Sequence, residues 1–76
     1  MKELVEVIAK SLVDYPDEVV VTERETKRAA LVELKVASSD MGKVIGKQGR
    51  IAQAIRSVVK AAASREDKKV IVDILQ

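Results

Sequence analysis

Apolar side chains recur every three or four residues over residues 2–13, a spacing typical of an amphipathic helix with one buried face. The positions concerned are Leu4, Val5, Ile8, Ala9, Leu12 and Val13. Pro16 follows shortly, and the residue before a proline is biased away from helical backbone angles, so the helix should end near Asp14. We interpret this helix as scaffold, although its apolar face could instead be a dimerisation surface.

Two segments with strand patterns come next. Residues 19–26 begin with three β-branched valines, and residues 30–37 carry apolar side chains at every second position, as a half-buried strand does. We predict an antiparallel hairpin whose tip lies near residues 26–28. No glycine, asparagine or proline specifies the type of turn there. Arg24, Lys27 and Arg28 make the tip positive and could form one wall of a binding groove.

Two further helices are predicted on either side of a glycine turn. Ser38, Ser39 and Asp40 can cap a short helix over residues 41–45, because their side-chain oxygens can accept hydrogen bonds from first-turn amides. Gly46 should stop that helix. A second helix begins at about Gly49 and extends to residue 63. Its inner stripe is expected to consist of Ile51, Ile55, Val58, Val59 and Ala62.

The last strand is predicted over residues 70–75, where Val70, Val72 and Ile74 alternate with the other positions. The right-handed crossover rule places it parallel to the strand at residues 30–37. The predicted fold class is α+β, in the order α-β-β-α-α-β, with three helices against one face of a three-stranded mixed sheet. Because 76 residues supply only a thin core, we predict a single domain over residues 1–76.

The residue types that are missing restrict the chemistry. The chain has no cysteine and no histidine, so most nucleophilic and general-base schemes lack candidates, and no zinc-ligand cluster is available. We therefore expect no enzymatic activity, no metal and no other cofactor. A hydrolase acting through Asp40, Glu66, Asp67 or Asp73 is a weak alternative, since a helix cap and solvated surface explain them better.

The length of the apolar segments also bears on where the protein is located. Glu3 and Glu6 interrupt the apolar residues near the N-terminus, and no segment approaches the roughly 20 apolar residues that a membrane span needs. We therefore expect neither a signal peptide nor a transmembrane helix. The simplest expectation is a cytoplasmic protein that contacts no membrane.

Positive charge is concentrated in the second half of the chain. Residues 1–40 have a net charge of −3, whereas residues 41–76 have a net charge of +5. Between residues 41 and 65 no acidic residue occurs, and the cations are Lys43, Lys47, Arg50, Arg56, Lys60 and Arg65. Any one of them could be an ordinary solvated cation, but the set favours a polyanionic partner.

All three glycines lie inside this basic region, at positions 42, 46 and 49, and so within a span of eight residues. The segment GKVIGKQG lacks the spacing and the trailing Lys-Ser/Thr of a P-loop, and it is not the GxGxxG of dinucleotide binding. A helix-hairpin-helix element also joins two helices through a glycine turn, but it would leave the three strand patterns unexplained. What fits is a helix, a Gly-x-x-Gly turn and a second helix.

The residues Val44, Ile45 and Gly46-Lys47-Gln48-Gly49, with Ile55 six positions later, resemble the VIGxxG signature of a KH domain. The element order resembles the type II arrangement, and over the whole chain the sequence is similar to the KhpA (YlqC-like) family of small bacterial KH proteins. One departure is Ala52, where many KH domains carry a larger aliphatic residue. The resemblance implies a clamp on about four nucleotides of single-stranded RNA.

The expected RNA-binding residues have three roles. Gly46 and Gly49 let the RNA backbone approach, and amides at the start of the following helix favour phosphate. Gln48 completes the loop, and Lys47, Arg50 and Lys43 add electrostatic attraction. Some of Val44, Ile45, Ile51 and Met41 are candidates for an apolar groove floor, although any one of them is more readily explained as core. The near absence of aromatic residues argues against RNA binders that stack bases on rings.

Two functions remain open at this point. The first is an RNA-binding module without enzymatic activity. The second is a protein-interaction module that pairs with itself or with another KH protein, because a small module gains affinity when linked to a second. The family resemblance implies such a partner, the larger KhpB/Jag-type KH protein, together with RNA regulation, RNA chaperone activity and control of cell elongation.

Overall fold

The computed structural model describes residues 1–75, and its six main elements follow the predicted order. They are α1 (Lys2–Leu12), β1 (Val20–Glu25), β2 (Ala29–Lys35), α2 (Met41–Ile45), α3 (Arg50–Ser64) and β3 (Lys69–Leu75). Short 3₁₀ turns at Pro16–Glu18, Ser38–Asp40 and Lys47–Gly49 complete the chain. The predicted α+β fold, with three helices and a three-stranded mixed sheet, is confirmed.

The sheet has the strand order β1-β2-β3, with β2 in the centre. β1 pairs with β2 antiparallel, so that Val21 lies opposite Leu34. β3 pairs with β2 parallel, so that Val32 lies opposite Val72. The crossover through α2 and α3 therefore has the predicted parallel geometry.

The core lies between the helices and one face of the sheet. Val5 and Ala9 of α1, Val44 of α2 and Val59 of α3 are fully buried against inward-facing strand residues. The buried strand side chains are Val21, Ala30, Val32, Leu34 and Val72. These aliphatic side chains supply the apolar burial that the chain lacks from aromatic residues.

The inner stripe of α3 differs from the predicted one. Its buried residues are Ala52, Ile55, Val59 and Ala63, whereas Val58 is 48% exposed. The predicted and the observed residues both recur every three or four positions. Helical periodicity does not show which side of an apolar arc the sheet will cover. Alanine at positions 52 and 63 keeps side chains small where α3 packs on the sheet, and Val58 is left on the side toward α1.

The hairpin tip is fixed by Thr26, whose role the sequence did not indicate. The Thr26 amide donates to the Ala29 carbonyl at 2.8 Å, and the Ala29 amide donates to the Thr26 Oγ1 at 3.1 Å. A threonine hydroxyl can close a turn in this way without glycine or proline.

The role of Asp40 also differs from the predicted one, because its side chain does not cap α2. Its side chain is fully buried and makes no cap hydrogen bond. It accepts hydrogen bonds from the backbone amides of Asp14 at 3.1 Å and Tyr15 at 3.0 Å. These two amides follow the end of α1, where Pro16 prevents the helix from continuing. Asp40 thereby connects the start of α2 to the end of α1.

Burial alone would raise the pKa of the Asp40 carboxyl, but the two backbone donors and Lys43 outweigh it and lower the pKa below its usual value. The unfolded chain therefore binds a proton at Asp40 at a higher pH than the folded chain does. The stability that Asp40 contributes is complete above a pH of about 4 and is lost as the pH falls through its lowered folded value.

We expect Asp40→Asn to be less stable than the wild type at neutral pH and to lose less stability on acidification, because asparagine does not titrate. The measurement is the thermal midpoint of both proteins from pH 7 down to pH about 2, followed by circular dichroism. The difference between the two midpoints should narrow as the pH falls from about 4 through the lowered pKa of Asp40. A difference that stayed constant across this range would contradict an ionised Asp40 in the fold.

Candidate nucleic-acid interface

Backbone geometry sets the shape of the loop at residues 46–49. Gly46 has φ 76° and ψ 173°, Gln48 has φ 58° and ψ 26°, and Gly49 has φ 73° and ψ 14°. The Gly46 amide donates to the Gly42 carbonyl at 2.9 Å, and the Gly49 amide donates to the Gly46 carbonyl at 3.2 Å. The loop is therefore a defined turn between two helices, and its Lys47 and Gln48 side chains are exposed.

Gly46 must be glycine for two independent reasons. Its φ and ψ lie in a region that is essentially restricted to glycine. In addition, a Cβ at this position would lie 2.5 Å from Cγ1 of Ile51. Ile51 thus packs directly on the loop backbone and supports the turn from below.

The N-terminus of α3 adjoins the loop. Its first turn contains no acidic residue. The first amides of a helix lack intrahelical partners and carry the positive end of the helix dipole. The Arg50 guanidinium donates to the Gln48 Oε1 at 3.3 Å, so an exposed cation lies over this helix end. The electrostatic character of the loop is positive throughout.

Lys43 is less available than its sequence position indicates. Its ammonium group pairs with the Asp14 carboxylate and lies 3.6 Å from the Asp40 Oδ1. The hydrogen bond to Asp14 is the main reason that the pKa of Lys43 is raised. Lys43, which was expected to attract RNA, therefore also joins α2 to the segment that follows α1.

The apolar candidates separate into two groups. Val44 is fully buried, so it is a core residue and not part of an exposed groove floor. Met41, Ile45 and Ile51 are partly buried and pack against the core, and each keeps some exposed surface. The sequence could not separate Val44 from Ile45, because both are aliphatic and adjacent.

The structure does not bring the cations of the hairpin tip to the loop. The Lys69 amide donates to the Arg28 carbonyl at 3.0 Å, which places the tip beside the start of β3. That strand begins shortly after the C-terminal end of α3, whereas the loop lies at the N-terminal end. Since α3 has 15 residues, about 20 Å separates the two regions. Arg24, Lys27 and Arg28 therefore do not form a wall opposite the loop.

Arg56 has a partner that the sequence did not reveal. Its Nε donates to the Val72 carbonyl at 3.2 Å, so it joins α3 to the edge strand β3. Without Arg56, the Val72 carbonyl would lie at the unpaired edge of the sheet without this hydrogen-bond donor. The sequence identified Arg56 only as one cation of the basic region, and no local signal identifies a partner 16 residues away.

A second surface feature is an apolar groove between α1 and α3, which we call the α1/α3 groove. Two adjoining hollows that share Val58 form it, and their apolar lining consists of Met1, Leu4, Ile8, Leu12, Ile51, Ala54, Ile55, Val58, Ala61 and Ala62. Within residues 1–75, no helix is long and apolar enough to cross a membrane.

A glycine turn between two helices, preceded by a hairpin and followed by a parallel strand, is the arrangement of a type II KH domain. A family model described as the KH domain of KhpA/KhpB matches residues 2–74. The chain therefore belongs to the KhpA/KhpB KH-domain family.

Curated relatives match this chain over nearly its full length. The chain is 64% identical over 75 residues to the RNA-binding protein KhpA of Clostridium acetobutylicum, covering 99% of this chain and 100% of the relative. It is 50% identical to the RNA-binding protein KhpA of Listeria monocytogenes, covering 100% of both chains. The same protein of Aquifex aeolicus is 46% identical, covering 100% of this chain and 96% of the relative.

Among solved structures, the fold is similar to part of Era in a complex with MgGDPNP and nucleotides 1506–1542 of 16S ribosomal RNA. The TM-score is 0.69 at 19% identity, over 96% of this chain and 28% of the Era chain. At this identity the similarity concerns the fold alone.

Proposed function

We propose that this chain is an RNA-binding protein that holds single-stranded RNA at the loop of residues 46–49. The observation that carries the proposal is the loop itself, a turn with positive φ at Gly46 and Gly49 that exposes Lys47 and Gln48 at the start of α3. The names of the relatives, which are those of a binding protein, support the same proposal.

Contact with the RNA backbone follows from this geometry. Without a Cβ at Gly49, which has open space around it, a phosphodiester can approach the main chain closely. The amides and dipole of α3 favour a phosphate at that point. Lys47 and Arg50 add attraction that is independent of sequence. Lys43 contributes less, because Asp14 already compensates its charge.

Bases would then lie over the partly exposed aliphatic side chains beside the loop, Ile45 and Ile51. A KH module contacts about four nucleotides in this way, which gives one copy a modest affinity. We further propose, from the family resemblance, that the chain acts in the cytoplasm as an RNA chaperone or regulator together with a larger KhpB/Jag-type KH protein.

The experiment that tests the proposal is a titration of labelled chain with single-stranded RNA of randomised sequence, monitored by amide chemical shifts. The largest changes should occur at residues 46–51. The logarithm of the affinity should fall with the logarithm of the salt concentration with a slope of about −2 to −3, for three or four phosphates. Shifts confined to the outer sheet face, or affinity independent of salt, would contradict the loop as the site.

Pairing with a second copy of the chain is a second candidate function, which the α1/α3 groove favours. Val58 lies near the middle of α3 and is half exposed although it is apolar. In a two-fold symmetric dimer, a residue near the axis meets its own copy, so an apolar groove centred on Val58 is suited to isologous contact. Two linked modules would also contact more RNA than one does.

We expect Val58→Asp to weaken this pairing without unfolding the chain, because a carboxylate in an apolar contact must lose its hydration. Light scattering should give a mass of twice 8.3 kDa for the wild type and 8.3 kDa for the variant. Val7→Asp is the matched control, since Val7 is 64% exposed on α1 and does not line the groove. A wild type that stayed monomeric at the highest attainable concentration would contradict the dimer.

A further inference from the structure

The carboxylate of Asp14 faces the basic region of residues 41–65. It pairs with the ammonium group of Lys43, which lies three residues before the loop of residues 46–49. Of the six cations in the basic region, only Lys43 forms an ion pair within residues 1–75. One exposed carboxylate from outside this region therefore compensates one of its charges.

The fold holds Asp14 at this position through its main chain. The Asp14 amide donates to the Asp40 Oδ1 at 3.1 Å, and Asp40 is buried immediately before α2. Because Lys43 follows Asp40 by three residues, about one helical turn, this hydrogen bond brings Asp14 next to Lys43. The hydrogen bond uses the Asp14 amide alone, so it does not require the Asp14 carboxylate.

The Asp14 carboxylate has little to contribute to the stability of the fold. Its side chain is 68% exposed, and that of Lys43 is 44% exposed. Ion pairs between exposed side chains add little stability, because water solvates both charges. Asp40 also lies 3.6 Å from the Lys43 Nζ, but it is buried and both its oxygens already accept amide hydrogen bonds. The partner of Lys43 that another anion can displace is therefore Asp14.

We propose that Asp14 is an internal competitor of RNA, a carboxylate that occupies Lys43 in place of a phosphate and so lowers the affinity of the chain for RNA. This inference rests on the proposed function and adds to it a residue that limits affinity. Carboxylate and phosphate oxygens accept the same charge-assisted hydrogen bonds from an ammonium group. RNA at the loop must compete with Asp14 for Lys43, and the charge of Asp14 also repels the phosphates.

Removing the charge of Asp14 should therefore strengthen RNA binding. Asp14→Asn should bind fluorescent single-stranded RNA of randomised sequence about threefold to fivefold more tightly at low salt, and the gain should shrink as the salt concentration rises. Damage to the fold would lower the affinity, so a structural defect does not explain a gain. The thermal midpoint should stay within about 4 °C of the wild type.

Asp17→Asn is the matched control. Asp17 is exposed and close in sequence, and its replacement changes the net charge equally, but it forms no ion pair within residues 1–75. This control should change the affinity by less than about 1.5-fold, through long-range attraction alone. In a Lys43→Met background, Asp14→Asn should gain no more than Asp17→Asn does, because the competition requires Lys43.

An Asp14→Asn variant with wild-type affinity would overturn the inference, and so would an equal gain with and without Lys43. The loop variant, Lys47→Asp with Gln48→Asp, is measured in parallel and reports on the proposed function. If the loop variant lost RNA binding while Asp14→Asn gained none, the inference alone would fail. If the loop variant bound RNA as the wild type does, the proposed function and the inference would fail together.

Discussion

The double variant Lys47→Asp with Gln48→Asp should bind single-stranded RNA about a hundredfold more weakly than the wild type at low salt. The two substitutions change the loop charge by −3, and each unit charge about 4 Å from a phosphate is worth roughly 1 kcal/mol in water. Three such terms correspond to about two orders of magnitude in affinity. Fluorescence anisotropy with labelled RNA measures the loss.

The fold should survive these changes, because Lys47 and Gln48 are exposed. Aspartate also tolerates the left-handed angles of position 48 better than most residues do. The thermal midpoint, followed by circular dichroism, checks that the variant is folded. Loss of RNA binding by a folded protein would then locate the contact at the loop.

A charge-matched control is available at the hairpin tip. Lys27→Asp with Arg28→Gln also changes the net charge by −3, and the tip lies at the far end of α3. This control should lose no more than a few-fold in affinity, through long-range repulsion alone. An equal loss in both variants would mean that net charge, and not the loop, determines binding.

Local patterns predicted the elements well, because each depends on few neighbouring residues. Met41–Ile45 has the predicted boundaries. Lys2–Leu12 ends one residue before the predicted helix, and Arg50–Ser64 is shifted by one residue at each end. Glycine at position 46 identified the turn because few other residues adopt its backbone angles. The parallel arrangement of β3 followed from the handedness of crossover connections.

Tertiary partners could not be predicted in this way. The carboxylate of Asp40 binds amides that lie 25 and 26 residues earlier, and an aspartate before a helix is locally indistinguishable from a cap. Periodicity identified the apolar arc of α3, but it did not show which side of that arc the sheet covers. Val58 was therefore assigned to the inner stripe. The separation of the hairpin tip from the loop depends on the length of α3 between them, which a charge pattern does not encode.

Replacing Gly46 with alanine should lower the free energy of unfolding by about 2–6 kcal/mol. The φ of 76° and the ψ of 173° at Gly46 cost a residue with a Cβ about 1–3 kcal/mol. Displacing the Ile51 side chain, whose Cγ1 would be 2.5 Å from the new Cβ, adds an overpacking cost of about 1–3 kcal/mol. Small domains have little stability to spare, so urea unfolding should show a large shift of the midpoint.

Gly49→Ala is the comparison without a clash, because Gly49 also has a positive φ, in the left-handed region, and a Cβ there would meet nothing within 4 Å. It should cost only about 1–2 kcal/mol, the backbone term alone. Ile51→Ala combined with Gly46→Ala should destabilise less than the sum of the single variants, because the smaller side chain removes the clash. Equal costs for Gly46→Ala and Gly49→Ala, with additive behaviour of the double variant, would contradict support of the loop by Ile51.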